Sequence, residues 1–126
     1  MSRLPRYDRV LVVVSPHGDY IARGLKTALV KSRRYHMEGE VLLVVQNKRA
    51  IGTIVLAAPR AITLPAFRRQ RSRHLVSEEE RRRWWPGKTA FFLYDIVEFR
   101  PVAVPVAVEY PRGPQVFVRP STLRIA

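Results

Sequence analysis

Lys26 is the residue whose type and position in the sequence point most directly to chemistry. It follows Gly24, a predicted helix end, by two residues and precedes a strand that is predicted to begin at Thr27. A lysine at such a junction can reach into a cleft between helix and sheet and contact a phosphate or a base carbonyl. The alternative is that its ammonium only neutralises the negative end of the helix macrodipole. The residues alone leave both interpretations open.

The loop after this strand carries a second set of candidate groups. Its basic residues alternate with rings that can stack on bases, which suits single-stranded or looped RNA, where the bases are splayed out and the phosphates are accessible. An ordinary solvated loop is the alternative. The candidates in this loop are Lys31, Arg33, Arg34 and Tyr35.

The densest basic block lies in a helix predicted over residues 66–75. Its arginines surround the helix axis and leave almost no apolar stripe, so core packing explains it poorly. No acidic residue lies between Glu40 and Glu78, so nothing nearby in sequence neutralises the block. The next predicted helix, residues 77–85, differs because its glutamates precede arginines at spacings that favour local ion pairs. We therefore predict phosphate contacts only from the first helix, through Arg68, Arg69, Arg71 and Arg73.

Two adjacent tryptophans stand at the end of the second helix. Neighbouring side chains diverge by about 100° on an α-helix, so the two rings cannot face the same way. We expect one ring in the core and the other, Trp85, in the cleft, where it can stack on a base. Metal chemistry finds no support, because the chain has no cysteine and its three histidines lie far apart in sequence. No metal or cofactor is predicted.

Composition sets the broad class of protein. With 126 residues, 47% of them hydrophobic, the chain suffices for one domain with a real core, which we place at residues 1–126. Its net charge of +13 predicts a polyanionic partner, and nucleic acid is the first candidate. The longest apolar runs, such as residues 10–14 and 41–45, are far shorter than the ~20 residues of a membrane-spanning helix. We expect a cytoplasmic protein with no membrane association.

The order of predicted elements favours an α+β fold, mainly β, built as a small mixed barrel. Ser15 is the predicted N-cap of a first short helix that ends at Gly24 and packs Tyr20, Ile21 and Leu25 inward. An arginine-rich helical insertion occupies residues 63–86, after a break bracketed by two prolines. The predicted strands are residues 10–14, 27–31, 40–46, 51–58, 89–99 and 102–108, with a turn at Arg100 and Pro101 and a further short strand at residues 115–118.

Several segments together resemble the ASCH domain, a branch of the PUA-like superfamily. Residues 20–27 (YIARGLKT) resemble its helix and glycine, x, Lys-Thr signature, and residues 38–43 (EGEVLL) its glycine–acid–strand element. Residues 51–55 (IGTIV) and 90–99 (AFFLYDIVEF) are similar to its later strands. The resemblance implies a small PUA-like mixed β-barrel with two to three short flanking helices. It also implies RNA or nucleotide binding in a cleft beside the Lys-Thr turn.

The chain departs from the ASCH pattern at positions that bear on catalysis. Members usually carry a glutamate and then an arginine after the Lys-Thr pair, where this chain has Leu29 and Lys31. Some ASCH relatives are amidohydrolases of acylated cytidine that use a lysine, a threonine three residues later and a distant glutamate. Lys26 matches that lysine, but Leu29 has no hydroxyl to act as a nucleophile. The departure argues against amidase chemistry by that mechanism.

Three functions remain open from the sequence. The first is a nucleic-acid-binding module, with RNA favoured over DNA, that uses a basic cleft beside the lysine turn. The second is an enzyme on nucleotides or RNA, an amidohydrolase or a ribonuclease of the ASCH type. Lys26 would then be the acid–base group, with Glu40 or one of the glutamates at residues 78–80 as its partner. The third is a non-catalytic subunit that its arginines dock onto a ribonucleoprotein.

Overall fold

Eight strands and four short α-helices are present in the described part of the chain. The computed structural model describes residues 4–110, 117–118 and 120–126. The elements are β1 (Arg9–Val13), α1 (His17–Ala22), β2 (Ala28–Lys31), β3 (Val41–Gln46), β4 (Arg49–Leu56), β5 (Arg60–Thr63), α2 (Leu64–Arg69), α3 (Arg71–His74), α4 (Glu78–Trp84), β6 (Ala90–Glu109), β7 (Phe117–Val118), a 3₁₀ turn (Pro120–Thr122) and β8 (Arg124–Ile125). Among the described residues, no helix is long and apolar enough to cross a membrane.

The strands form one mixed sheet that curls into a half-barrel. Its order is β2-β6-β4-β3-β1-β7, and β5 and β8 also pair with β6. The β1–β3 pair is parallel, whereas β3 and β4 form the predicted antiparallel hairpin. Strand β6 pairs with four other strands, namely β2 and β5 along its first part, β4 along its middle and β8 at its end. This architecture confirms the predicted α+β, mainly β, barrel-like fold with a few short helices.

Burial of apolar side chains on both faces of the sheet holds the half-barrel together. One buried cluster lies inside the curl and includes Leu11, Leu42 and Tyr94. Another packs Phe67 and Val76, from the helical segment, against β2 and β6. Fully burying side chains of this size contributes about 1.5–3 kcal/mol each. The segment from α2 to α4 is therefore attached to the sheet by a core of its own, whereas α1 contributes Ile21 to the first cluster.

Helix α1 is capped from a distant strand. The Oε1 atom of Gln46, at the end of β3, accepts hydrogen bonds from the backbone N–H groups of Gly18 (2.6 Å) and Asp19 (3.2 Å). The prediction of Ser15 as the N-cap was wrong, since no side chain of the preceding segment caps the helix. Gly24 ends the helix with a positive φ of 74°, as predicted. Leu25 is 49% exposed and does not pack inward as we expected.

Strand β6 is continuous where the sequence predicted two strands and a turn. Its 20 residues run through Pro101, which lies opposite Gly52 of β4. The register of this pair shifts between Ala50 and Gly52, and such a bulge lets a strand continue past a residue that lacks an N–H group. The expected turn at Arg100 and Pro101 was therefore wrong. The predicted break before the helices is also partly strand, namely β5.

The predicted arginine helix is two short helices. Helix α2 begins after Thr63, whose hydroxyl accepts the Ala66 N–H, and α3 ends at Leu75 in a left-handed conformation. Helix α4 has the predicted capping box, in which Ser77 and Glu80 bond reciprocally to each other's backbone N–H groups. Part of the short strand predicted at residues 115–118 is observed as β7, and residues 115 and 116 lie outside the described part.

Candidate nucleic-acid interface

The lysine turn, residues 24–27, lies against helix α3. The Thr27 N–H donates to the Arg73 carbonyl at 2.9 Å, and Lys26 Nζ donates to the His74 carbonyl. These bonds span more than 40 residues of sequence. They place the arginine-rich segment directly beside the turn. The sequence alone did not connect this segment with Lys26.

Two lysines are packed close together behind this turn. Lys26 is only 5% exposed, and burial, with the charge of Lys31 adding to it, lowers its pKa to about 7; the Glu80 carboxylate acts in the opposite direction. Burial also lowers the pKa of Lys31 to about 8. Burying two ammonium groups near each other disfavours their charged forms. An anion placed beside them would reverse that effect.

Glu80 is the carboxylate whose charge acts on Lys26, and it is hydrogen-bonded to a histidine. Its Oε2 atom lies 2.9 Å from Nε2 of His17, while Oε1 accepts the Ser77 N–H. Burial alone would raise the pKa of Glu80, but the hydrogen bonds from Ser77 and His17 lower it overall. Burial, followed by the charge of Lys26, lowers the pKa of His17. We call His17, Lys26, Lys31 and Glu80 the lysine cluster.

His17 is the member of the lysine cluster that sequence reasoning missed. It stands 63 residues from Glu80 and directly follows a Ser-Pro pair that is typical of a helix start. No local pattern indicates His17 itself. The ASCH resemblance implied a distant glutamate, and the candidates for it were Glu40 and the glutamates at residues 78–80. Glu40 instead pairs with Arg9 at 3.2 Å.

His74 supports the interface but has no group available for a ligand. Its Nδ1 atom accepts the Val76 N–H, so Nε2 carries the proton that it donates to the Phe67 carbonyl at 2.7 Å. Burial lowers its pKa to about 4, and its ring stacks on Phe67 at 4.3 Å. We conclude that His74 is a neutral structural residue that orients the carbonyl to which Lys26 bonds.

The fold divides the predicted arginine block into paired and unpaired members. Arg68 pairs with Glu78 at 2.7 Å, and Arg73 pairs with Asp95. Asp95 lies on β6, so acidic residues distant in sequence neutralise part of the block. Arg69 and Arg71 are exposed and form no ion pair within the described residues. These two remain the candidates for phosphate contact.

The arginines of helix α4 behave largely as predicted. Arg81 pairs with Glu78 at 2.7 Å, and Arg83 pairs with Glu79 at 3.2 Å. Arg82 is exposed. The ion pairs leave Arg81 and Arg83 less suited than Arg69 and Arg71 to binding a polyanion.

The basic loop after β2 is braced from inside the barrel. The buried Tyr94 hydroxyl accepts the Tyr35 N–H at 2.7 Å and donates to the Arg33 carbonyl at 3.0 Å. The Arg34 guanidinium lies 5.1 Å from the centre of the Phe92 ring. An open pocket of about 350 Å³ is formed between this loop and Ala58 and Pro59. The loop backbone is therefore held in place before any ligand arrives.

The two tryptophans have the divergent orientations that helix geometry requires. The Trp85 ring contacts Phe67 and Phe91, on the core side, with centroid distances of 6.4 and 5.6 Å. The Trp84 ring meets the His17 ring at 5.6 Å. Of the two, Trp84 therefore adjoins the lysine cluster, whereas the sequence-based choice was Trp85.

A larger groove, of about 690 Å³, lies on another part of the sheet. Residues 4–8 border it on one side and the middle of β6 on the other, and its lining combines apolar residues with the Glu98–Arg100 ion pair. None of the predicted site residues lines it. Within the described residues, no group of three His, Cys, Asp or Glu side chains could hold a metal ion.

Comparison with solved structures identifies the fold. The ASCH protein of Zymomonas mobilis superposes with a TM-score of 0.68 and 17% identity, over 79% of this chain and 72% of that chain. Two single-substitution variants of the same protein give TM-scores of 0.68 and 0.69, the second at 18% identity over 81% of this chain and 76% of that chain. The chain has an ASCH-type fold. No family model matches the chain, and neither does any curated protein.

The ASCH-type fold confirms the resemblance drawn from the sequence motifs. At 17–18% identity the likeness concerns the fold, and function has to be argued from the site. Leu29, at the place of the amidohydrolase threonine, is 3% exposed and belongs to the core cluster inside the curl. The position is thus used for packing.

Proposed function

We propose that this protein binds single-stranded or looped RNA along the lysine turn and helix α3. The observation that carries the proposal is the hydrogen bond from the Thr27 N–H to the Arg73 carbonyl. It joins the part of the chain that holds Lys26 to the part that holds the unpaired Arg69 and Arg71. The net charge of +13 therefore includes a local concentration of cations beside the turn.

The lysine cluster supplies the second argument. Burial and the charge of Lys31 lower the pKa of Lys26, burial lowers the pKa of Lys31, and Glu80 is partly engaged by His17 and Ser77. A phosphate oxygen beside these lysines would restore their charged forms and gain a charge-assisted hydrogen bond. Lys31 is the more exposed of the two lysines and is the one that a phosphate would reach first.

The basic loop favours RNA whose bases are unpaired. Arg33 and Arg34 are exposed, and the loop starts directly after Lys31. A strand whose phosphate lies at Lys31 can therefore place the next bases against this loop, whose backbone Tyr94 already holds. Aromatic and guanidinium stacking on bases is the common means by which proteins recognise single-stranded RNA.

Salt dependence tests the proposed function. Five cations with exposed or half-buried side chains are counted for phosphate contact, leaving out the buried Lys26, so log K for a single-stranded RNA should fall with log salt at a slope of about −3.5. They are Lys31, Arg33, Arg34, Arg69 and Arg71. Fluorescence anisotropy of a labelled RNA between 20 and 300 mM salt measures the slope. A flat dependence, or no binding at the lowest salt, would remove the proposal.

An enzyme on nucleotides or RNA is the second candidate function. The observation in its favour is Lys26, whose pKa of about 7 suits proton transfer and on which the charge of the Glu80 carboxylate acts. Turnover that disappears in Lys26→Ala, with RNA binding through the arginines retained, would support this candidate over the first.

A further inference from the structure

His17 contains an acceptor atom that the rest of the described chain leaves unused. The side chain is 5% exposed, and its Nε2 atom lies 2.9 Å from Glu80 Oε2. Its Nδ1 atom is buried and has no hydrogen-bond partner among the described residues. Buried polar atoms without a partner are rare and costly, so each one calls for an explanation, and a binding or catalytic role is among the common ones.

The partner of Nε2 determines what Nδ1 can do. Glu80 is ionised at neutral pH, because hydrogen bonds lower its pKa overall, so Nε2 must carry the proton that lies between the two groups. Burial and the charge of Lys26 keep the imidazole neutral. A neutral ring with a proton on Nε2 presents a lone pair on Nδ1. The unused atom is therefore an acceptor held in a fixed orientation by a carboxylate.

The neighbours of this acceptor define the ligand that complements it. Lys26 and Lys31 are near enough to lower the pKa of His17 by their charges, and both are hydrogen-bond donors. The matching ligand has a donor close to an anionic oxygen. In RNA the 2′-hydroxyl stands on the carbon next to the one that bears the 3′-phosphate, whereas DNA has only acceptors there. A base amino group is the other donor that a nucleic acid offers.

We infer that Nδ1 of His17 accepts a hydrogen bond from a ribose 2′-hydroxyl and makes the site select RNA over DNA. This inference rests on the proposed function. Lys31 and Lys26 would then bind the phosphate next to that ribose. The rings of Tyr20 and Trp84 meet the His17 ring edge-on at 5.7 and 5.6 Å, and both are half-buried. The sugar must displace these rings to reach the imidazole.

The experiment compares three oligonucleotides of one uridine-rich sequence, with RNA, 2′-fluoro and 2′-deoxy sugars. The 2′-fluoro strand keeps an RNA-like sugar but has no donor. We expect the wild-type protein to bind RNA about tenfold more tightly than either analogue, the effect of one buried hydrogen bond whose loss leaves the acceptor unpaired. In His17→Phe the ratio of RNA affinity to 2′-deoxy affinity should fall to about one. The ratio is compared because the substitution also removes the hydrogen bond to Glu80 and so changes the affinity for every strand. His17→Asn, whose side-chain oxygen can accept near the Nδ1 position, should keep part of the preference.

The outcomes separate this inference from the proposed function. Equal wild-type binding of RNA and 2′-fluoro strands overturns the role of His17 and leaves RNA binding intact. Absence of binding to all three strands at 20 mM salt removes the proposed function itself. If affinity rises when cytidines replace the uridines and no longer depends on the sugar, the donor is a base amino group, and this result also overturns the inference. If His17→Phe fails to fold, the wild-type comparison and His17→Asn still decide.

Discussion

Replacing Arg69 and Arg71 together by alanine should weaken binding of single-stranded RNA about 25-fold at 0.1 M salt. Each phosphate contact contributes about 0.7 to the salt slope, so losing two should change the slope from about −3.5 to about −2.1. Both side chains are exposed and unpaired within the described residues, so the substitution should leave the fold unchanged. Anisotropy titrations at several salt concentrations measure the affinity and the slope.

A matched double variant controls for net charge. Arg83 and Arg100 are also exposed, but they pair with Glu79 and Glu98. Replacing both by alanine lowers the net charge by the same amount, and RNA affinity should change by less than about threefold, the size of a diffuse charge effect. Equal losses in the two double variants would mean that the charge acts over the whole surface and that α3 has no special role.

The pH dependence of RNA binding should be large and should depend on Lys26. Because its pKa in the free protein is about 7, Lys26 is charged at pH 6 and mostly neutral at pH 8. At pH 8, binding of an RNA phosphate to the ammonium form therefore requires Lys26 to take up a proton. Affinity should therefore fall about tenfold between pH 6 and pH 8. Lys31, with a pKa of about 8, should add about twofold over the same range. Anisotropy titrations at constant ionic strength measure the change.

Lys26→Met provides the control for this pH dependence. Methionine has a similar length and suits a buried position, so the packing around β2 should be kept. The pKa of Glu80 is lowered from a value already far below 6, so Glu80 stays ionised between pH 6 and pH 8. The pKa of His17 is lowered below its ordinary value by burial and by the charge of Lys26, which reduces its share of any change near pH 6. In the variant only the twofold contribution of Lys31 should remain. A wild-type affinity that is constant between pH 6 and pH 8 would contradict the role of Lys26, as would an unchanged tenfold fall in Lys26→Met.

Local features of the sequence were sufficient to predict much of the fold. The hairpin of β3 and β4 is two apolar runs separated by a short polar segment, and Ser77 with Glu80 forms a capping box within four residues. Gly24 ends α1 because a positive φ costs glycine little. Each of these depends on residues that are close in sequence, so the pattern alone determines the structure.

What the sequence did not predict depends on contacts across the fold. The cap of α1 comes from Gln46, and the pairing of Arg73 with Asp95 joins α3 to β6. The contact of His17 with Glu80 spans 63 residues, and neither residue has a local pattern that indicates it. These side chains pair only because the curled sheet and the helices outside it bring them together. Lys26 was singled out from its residue type and position, but its burial, which follows from the same tertiary packing, was not predicted.

The central claim is that RNA lies where the lysine turn meets helix α3. Its most direct test is a titration of ¹⁵N-labelled protein with a short single-stranded RNA, followed by amide chemical shifts. We expect the largest shifts at residues 24–28, 31–35 and 69–75. Shifts confined instead to residues 4–8 and the middle of β6, which border the 690 Å³ groove, would place the ligand elsewhere and contradict the claim.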